Sequence, residues 1–232
     1  MPQDELLLSV VIPIFNEEPT IGDVITRLKA TMRKIGLKYE TIVVDDCSSD
    51  KSLETSRSYN LRVYSLTQHM GKGCALRVGF SKAKGNLIAT IDSDGSHRPE
   101  EMPLLLKPIL RDQADFVIGS RFLNKKPVSG KKLNAVGVRL FNALIKAFTK
   151  TSVTDSQSGY RVMKAEIVKA YRLVSGGYEI ESEMLVKTAR CGFRVKEVPI
   201  SFEQRTYGRS RLDPILDGLR ILLSIVAAYI KR

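Results

Sequence analysis

Short apolar runs alternate with longer stretches of helical periodicity in the first half of the chain. Five runs rich in Val and Ile predict strands buried on both faces, at residues 7–14, 41–44, 62–66, 87–91 and 116–119. Helical spacing of apolar residues appears between them, at 20–35, 50–59, 73–84 and 99–111. This alternation predicts an α/β fold whose sheet is mostly parallel and flanked by helices.

The second half of the chain has a looser pattern. A stretch rich in Lys and Gly, 124–132, predicts a loop, and residues 151–161 are polar with no clear periodicity. Helices are predicted at 133–150, 165–173, 179–190 and 215–232, and a strand at 195–202. The apolar run 221–230 in the last helix is too short for a bilayer, which needs about 20 residues. We therefore expect one domain over residues 1–212, followed by an amphipathic helix over 213–232.

Composition is consistent with one soluble domain. The chain has 232 residues, 43% of them hydrophobic, which is enough to bury a core without disulfides. Its three cysteines are widely spaced and predict reduced thiols in a cytoplasmic compartment. The first apolar run, 6–14, is too short for a secretory signal or a membrane span.

The positive charge is confined to the second half of the sequence. Residues 1–119 carry 15 Lys and Arg against 16 Asp and Glu, a net charge of −1, whereas residues 120–232 carry 22 against 9, a net charge of +13. Such a field attracts phosphate on nucleic acid, on lipid head groups or on a substrate. Few aromatic residues lie among the basic ones and no helix-turn-helix pattern is present, which argues against nucleic acid.

Acidic residues follow the predicted strand 87–91. Asp92 and Asp94 stand at i and i+2, and two carboxylates so placed can converge on one Mg²⁺ or Mn²⁺ ion, which prefers oxygen ligands. A turn or helix cap is the alternative interpretation of an isolated D-x-D sequence. The position directly after a buried strand favours the metal.

Similar groups follow the first two predicted strands. Asn16 and Glu17 come after the first strand, and Asp45 and Asp46 come after the second. Because ligands bind beyond the carboxyl ends of parallel strands, these groups should share one crevice with Asp92. A nucleoside-diphosphate site with a metal explains that convergence. The dinucleotide pattern G-x-G-x-x-G is absent after the first strand, and the sequence at 71–74 lacks the P-loop frame.

These motifs, in this order, resemble the family-2 inverting glycosyltransferases, and most closely their dolichyl-phosphate mannose synthase branch. The resemblance covers about residues 9–212. It rests on many short motifs together: Pro13 with Asn16-Glu17, Asp45-Asp46, Gly71-Lys72-Gly73, Asp92-x-Asp94, Gly119-Ser120-Arg121 and the segment 205–211.

The resemblance implies a GT-A nucleotide-sugar fold, a divalent metal (Mg²⁺ or Mn²⁺), and inverting transfer of a hexose to dolichyl or another polyprenyl phosphate. The expected donor is GDP-mannose. By position, the resemblance implies donor contacts at Pro13, Asn16, Glu17, Asp46, Lys72 and Asp92. It implies metal contacts at Asp92, Asp94 and Ser96, and catalytic contacts at Asp94, Arg121 and Arg205.

Several of these assignments have alternatives. Arg121 could pair with an acid at the strand end instead of binding phosphate. Lys131 and Lys132 match a basic acceptor-contact position of the family, and the segment 155–161 resembles one near the reacting sugar. Glu179 and Glu183, at i and i+4 on one helical face, could equally be solvated or paired with basic residues.

The expected partners are the nucleotide-sugar, the polyprenyl phosphate and a membrane surface, with a small membrane subunit as a possible further partner and no nucleic acid. The expected location is the cytoplasmic face of a membrane, without spanning it. In the last helix, a stripe formed by Ile221, Leu222, Ile225, Val226 and Tyr229 could lie in the lipid interface or pack on the core. Two functional alternatives stay open: UDP-glucose as the donor, and a noncatalytic nucleotide-binding or nucleic-acid-binding module.

Overall fold

The computed structural model describes residues 7–123, 132–203, 207 and 213–230, with side chains from residue 137 onward in the second range. One sheet is built from seven strands: β1 (Leu7–Ile14), β2 (Lys38–Asp45), β3 (Arg62–Ser65), β4 (Leu87–Thr90), β5 (Phe116–Ser120), β6 (Arg161–Lys164) and β7 (Val195–Pro199). The helices described are α1 (Glu18–Ile35), α2 (Ser52–Arg57), α3 (Lys72–Lys82), α4 (Met102–Leu110), α5 (Lys132–Thr149), α6 (Ala165–Ala170), α7 (Ile180–Arg190) and α8 (Leu216–Ile230).

The strand order is β3-β2-β1-β4-β6-β5-β7, and β6 alone runs antiparallel to its neighbours β4 and β5. The prediction of a mostly parallel α/β sheet is therefore confirmed. β6 was missed because its sequence, Arg-Val-Met-Lys, begins and ends with a charged residue, whereas β4, of the same length, has none. Arg161 is fully buried there, since its guanidinium donates to the carbonyls of Ser156, Ser158 and Glu181.

Both faces of the sheet are covered. Along β1, Val10 and Ile12 belong to the core cluster that includes residues of α1 and α4, whereas Val11 belongs to the cluster that includes residues of α5, α7 and α8. This two-sided burial explains why β1 is almost continuously apolar in the sequence.

The C-terminal helix α8 packs against α5 and α7. Ile221 and Ile225 are buried at its core-facing side, so the core alternative for the predicted stripe is confirmed at these two positions, and the interfacial one is wrong there. Tyr229 is 40% exposed and stacks on Phe148 of α5. A different face of α8 is exposed and apolar, and it carries Leu216, Leu219, Leu223 and Ile230. Within the described ranges, no helix is both long and apolar enough to cross a membrane.

Candidate active site

A cavity of about 360 Å³ opens at the carboxyl ends of β1, β2 and β4. This is the edge of a parallel sheet where α/β proteins bind ligands. Six of the residues singled out in the sequence line it: Pro13, Glu17, Asp46, Lys72, Asp92 and Asp94. The structure thus brings together residues that are up to 81 positions apart in the chain.

Asp94 is buried and held in place by the residue that follows Gly95. The backbone amide and the hydroxyl of Ser96 both donate to Asp94 Oδ1, at 3.0 and 2.6 Å. Ser96 itself is buried and does not line the cavity. Its hydroxyl therefore orients the Asp94 carboxylate in this structure, and a direct contact between Ser96 and a metal stays a prediction.

Lys72 links Asp92 to a carboxylate that the sequence analysis gave no role. Its Nζ lies 2.6 Å from Asp92 Oδ1 and 2.7 Å from Glu181 Oε1, at the start of α7. Burial by itself lowers the pKa of Lys72, but the two carboxylates outweigh it and hold that pKa above its ordinary value. Lys72 is consequently a charged ammonium at the floor of the cavity.

His97 lies behind Asp92, with its Nδ1 3.7 Å from Asp92 Oδ2. Its ring is fully buried between Tyr160 and Phe202. Burial lowers the pKa of His97, although Asp92 and Asp94 oppose that shift, so the imidazole is neutral at physiological pH. Neither ring nitrogen has a hydrogen-bond partner among the residues described.

Another part of the cavity is formed by the loops after β1, β2 and β3. Asp46 is buried and accepts hydrogen bonds from the amides of Met70 and Gly71, both at 2.7 Å. His69 Nδ1 lies 2.8 Å from Asp46 Oδ2, and its ring stacks on Phe15 with the centroids 3.9 Å apart. Phe15 and His69 both line the cavity and offer it a flat aromatic pair.

The side chain of Asn16 contacts the loop after β2. Asn16 has a positive φ of 53°, and its Oδ1 accepts a hydrogen bond from the amide of Ser49 at 2.7 Å. It does not line the cavity. The structure therefore shows Asn16 joining the loops after β1 and β2, and a nucleoside contact by this side chain stays a prediction.

The glycines around Lys72 pack directly on a second glycine loop. A Cβ at Gly71 would lie 2.5 Å from the carbonyl oxygen of Gly176, and the Cys74 amide donates to that oxygen. Glu179 accepts from the amides of Gly176 and Gly177, and Glu183 from those of residues 174 and 175. Glu183 also pairs with Lys187. Glu179 and Glu183 therefore hold the loop that covers the amino end of α3.

Arg121 makes a two-pronged ion pair with Asp155, from Nε to Oδ2 at 2.6 Å and from Nη2 to Oδ1 at 2.8 Å. Asp155 is fully buried, and its amide donates to Glu197. Burial lowers the pKa of Arg121, but Asp155, together with Asp92 and Asp94, outweighs burial, so the net pKa is above its usual value. The structure thus shows the acid pairing of Arg121, and the phosphate contact stays a prediction.

The start of α8 forms a wall of the cavity that the sequence analysis did not foresee, with Asp213, Leu216, Asp217 and Arg220 among the lining residues. Asp213 caps the helix by accepting from the amides of residues 215 and 216. No motif marks these positions, so only the packing of α8 reveals them. Arg205, Lys131 and the side chain of Lys132 lie outside the described residues.

The carboxylate oxygens of Asp92 and Asp94 are suited to a hard divalent cation. Asp92 and Asp94 present carboxylate oxygens to the same cavity, and Mg²⁺ is often held by one or two carboxylates, with phosphate and water completing the shell. Among the residues described, no group of three or more His, Cys, Asp or Glu side chains forms a complete metal cage. The residues present therefore fit a metal that shares its coordination with a phosphorylated ligand.

The fold and this site define a GT-A glycosyltransferase. The crystal structure of glucosyl-3-phosphoglycerate synthase from Mycobacterium tuberculosis superposes with a TM-score of 0.78 at 23% identity, over 98% of this chain and 80% of that one. The sequence profile of Glycosyl transferase family 2 matches residues 9–172. The chain belongs to glycosyl transferase family 2, and it is an enzyme that transfers a sugar.

Three relatives cover nearly all of the chain. An uncharacterised protein of Methanocaldococcus jannaschii is 34% identical over 97% of this chain and 92% of its own length. The dodecaprenyl-phosphate galacturonate synthase of Rhizobium johnstonii is 28% identical over 97% of this chain and 67% of its own length. The dolichol-phosphate mannosyltransferase of Pyrococcus furiosus is 32% identical over 88% of this chain, which spans 59% of that protein.

Proposed function

We propose that this glycosyltransferase moves a hexose, with mannose from GDP-mannose as the first candidate, to dolichyl or another polyprenyl phosphate, with inversion at the anomeric carbon. The observation that carries the proposal is the cavity at the carboxyl end of β4, which Asp92 and Asp94 line together with the Lys72 ammonium. Two relatives whose names include a polyprenyl phosphate support the acceptor class, and their different sugars leave the donor to be tested.

A divalent cation, Mg²⁺ or Mn²⁺, would be held by Asp92 and Asp94. When bound, it would offset the negative charge of the departing nucleoside diphosphate. The synthase of Mycobacterium tuberculosis was crystallised with Mn²⁺ and UDP, which supports a metal in a cavity of this fold. In this chain, the Ser96 hydroxyl donates to the Asp94 carboxylate and fixes its orientation, and the Lys72 ammonium would contact phosphate oxygens.

The acceptor needs no protein base. A phosphate monoester has its second pKa near ~6, so its attacking oxygen is already deprotonated at neutral pH. The remaining work is to hold that dianion in line with the bond to be broken. Arg121 is fixed by Asp155 for such a contact, and the net charge of +13 over residues 120–232 favours a phosphorylated acceptor. Arg205 is assigned to the same task from the sequence.

The enzyme is proposed to work at the cytoplasmic face of a membrane. The exposed apolar face of α8, with Leu216, Leu219 and Leu223, begins at the cavity wall, so a lipid-borne acceptor has a short path to the site. Exposed basic residues of α5, including Arg139 and Lys146, lie on the neighbouring helix. Each basic residue near an anionic surface contributes about 1 kcal/mol of attraction. A small membrane subunit is the alternative occupant of this face.

A donor screen tests the reaction. The full chain is incubated with Mg²⁺ or Mn²⁺, a short polyprenyl phosphate and either GDP-mannose or UDP-glucose, and the product is identified by mass. We expect polyprenyl phosphate extended by one hexose, from GDP-mannose above all. A product from UDP-glucose alone would instead identify a glucosyltransferase, and no lipid-linked product with any nucleotide-sugar would refute the acceptor class.

Vesicle flotation tests the membrane surface. Wild type should float with anionic vesicles at low salt, and Leu219→Glu with Leu223→Glu should abolish flotation without unfolding the protein. Leu104→Glu is the matched control, because Leu104 is 45% exposed on α4, which packs on the other side of the sheet. If the wild type stays at the bottom of the gradient, a lipid surface is not its partner and the membrane-subunit alternative gains support.

A further inference from the structure

The Lys72 ammonium and a metal ion would compete for the same carboxylate, that of Asp92. The ammonium lies within hydrogen-bonding distance, 2.6 Å, of Asp92 Oδ1, and Asp92 is one of the two carboxylates after β4 that line the cavity. A divalent cation on Asp92 would sit close to this ammonium, and two positive charges at such a distance repel each other strongly where little water screens them. Metal binding and the Lys72–Asp92 pair therefore oppose each other.

Glu181 is the second carboxylate that pairs with Lys72. Its Oε1 is 2.7 Å from Nζ, and the Glu181 side chain is only 4% exposed. Apart from this contact with Lys72, neither of its carboxylate oxygens has a hydrogen-bond partner among the described residues, so the ion pair with Lys72 is what balances this buried charge. Because the four-carbon stem of lysine is flexible, the ammonium can leave Asp92 and stay with Glu181 without movement of α3.

The backbone at Glu181 is rigidly fixed. Its carbonyl accepts a hydrogen bond from Nη1 of the buried Arg161 at 2.8 Å. Lys72, in turn, begins α3 between Gly71 and Gly73, which pack on the loop 175–177 without intervening side chains. The lysine side chain can therefore respond to a ligand while the backbone at both positions stays in place.

We propose that Lys72 bridges Asp92 and Glu181 when no metal is bound and pairs with Glu181 alone when a divalent cation enters, which makes Glu181 a positioning residue for the metal site. The inference rests on the metal dependence in the proposed function, and not on the identity of the sugar or of the acceptor. It assigns to Lys72 and Glu181 opposite effects on metal affinity, although both residues serve the same reaction.

The test measures Mn²⁺ binding to the full chain by calorimetry, without nucleotide. Lys72→Met removes the competing ammonium and should tighten Mn²⁺ binding by about tenfold, while donor turnover falls. Glu181→Gln leaves Lys72 with Asp92 alone and should weaken Mn²⁺ binding by about tenfold. Glu166→Gln, which removes an exposed charge on α6, is the control and should change neither quantity.

The double variant Lys72→Met with Glu181→Gln separates positioning from simple charge loss. Because Glu181 acts through Lys72, the double variant should bind Mn²⁺ as tightly as Lys72→Met does. If Glu181→Gln weakens Mn²⁺ binding equally in the wild type and in Lys72→Met, the charge of Glu181 acts directly on the metal and the proposal is overturned. Weaker Mn²⁺ binding by Lys72→Met than by the wild type would overturn it as well. Glu181→Asp and Lys72→Gln replace any variant whose melting curve shows that it does not fold.

A wild type that binds neither Mn²⁺ nor Mg²⁺, whether alone or with a nucleoside diphosphate present, would refute the metal itself, and with it this part of the proposed function. A wild type that binds Mn²⁺, with variants that do not diverge, would refute only the exchange of Lys72. The two failures are therefore distinguishable in one set of titrations.

Discussion

The carboxylate of Asp92 rests directly on the backbone of Gly159. A Cβ at position 159 would lie 2.5 Å from both Asp92 Oδ1 and Oδ2, closer than real Cβ contacts come. The Gly159 carbonyl is held by the Thr90 hydroxyl at 2.7 Å, so this backbone cannot retreat easily. The segment before β6 thus fixes the position of a carboxylate of the proposed metal site that lies 67 residues earlier in the chain.

Gly159→Ala should therefore displace the Asp92 carboxylate while leaving the fold intact. We expect transfer to fall by about 100-fold, the size of effect seen when a residue that orients a metal ligand is lost. Steady-state transfer and Mn²⁺ titration measure the two consequences, and both should worsen together.

Gly218→Ala is the matched control for that substitution. Its Cβ would meet nothing within 4 Å, and replacing a helical glycine by alanine stabilises a helix by about 1 kcal/mol. Full activity in Gly218→Ala with a loss in Gly159→Ala is the expected pair. Near-normal activity in Gly159→Ala would contradict the role given to this contact.

Asp94→Asn tests the second carboxylate of the pair. The amide keeps the size of the side chain but loses its charge and places an NH₂ group where the buried carboxylate accepted from Ser96 or faced the cavity. Transfer should fall by at least about 100-fold. Asp50→Asn serves for comparison, since Asp50 accepts from the amides of Glu18 and Ser52 and should affect stability alone. Unchanged metal dependence in Asp94→Asn would reduce Asp94 to a turn former.

The strands and helices that the sequence predicted best are those in which the burial of apolar side chains alone decides the structure. β1 and β4 are short apolar runs buried on both faces, and α1 has a clear apolar stripe, so periodicity alone locates them. β6 was missed because its pairing with β4 and β5 is decided by the sheet, and because Arg161 is buried through hydrogen bonds to three carbonyls. Neither the pairing of these strands nor hydrogen bonds to main-chain carbonyls leave a signal in the local pattern of apolar residues.

Asp115 gives a prediction about acid stability. Arg194 and Lys164 both contact its carboxylate, and the Arg194 hydrogen bonds above all hold the pKa of Asp115 well below the ordinary 3.8. A lowered folded-state pKa stabilises the fold above about pH 4, and that stabilisation is lost as pH falls through the lowered value. Asp115→Asn should reduce Tm by about 5 °C at pH 7.

The difference in Tm between wild type and Asp115→Asn should shrink below pH 4. Thermal unfolding followed by circular dichroism from pH 7 to pH 2.5 measures it. A difference that stays constant over this range would mean that the carboxylate contributes through shape and not through charge.

α8 gives a prediction about stability because its two sides differ. Ile225 is fully buried against α5 and α7, so Ile225→Ala should cost about 3 kcal/mol of unfolding free energy. Leu223 is 60% exposed on the same helix, and Leu223→Ala should change stability by less than about 0.5 kcal/mol. Urea unfolding measures both, and equal effects would mean that α8 does not pack as described. Deleting residues 215–232 should likewise destabilise the domain.

The candidate site shows the same division between local and long-range signals. Asp92 and Asp94 could be found because they follow a strand, and strand ends converge at one edge of a parallel sheet. Glu181 stood in the sequence beside Glu179 and Glu183 with nothing to distinguish it, yet it alone of the three reaches Lys72. The cavity wall from α8 could not be predicted either, because a helix sequence does not state which groove the helix covers.

The backbone contact between the two glycine loops limits how this enzyme can be redesigned. A side chain at Gly71 or Gly73 would collide with main-chain oxygens of Gly176 or Ser175 at 2.5 Å, so this part of the cavity admits almost no variation. Libraries intended to change the nucleotide or the sugar should leave these positions constant. Diversity belongs instead at Phe15, His69 and Arg220, whose side chains line the cavity.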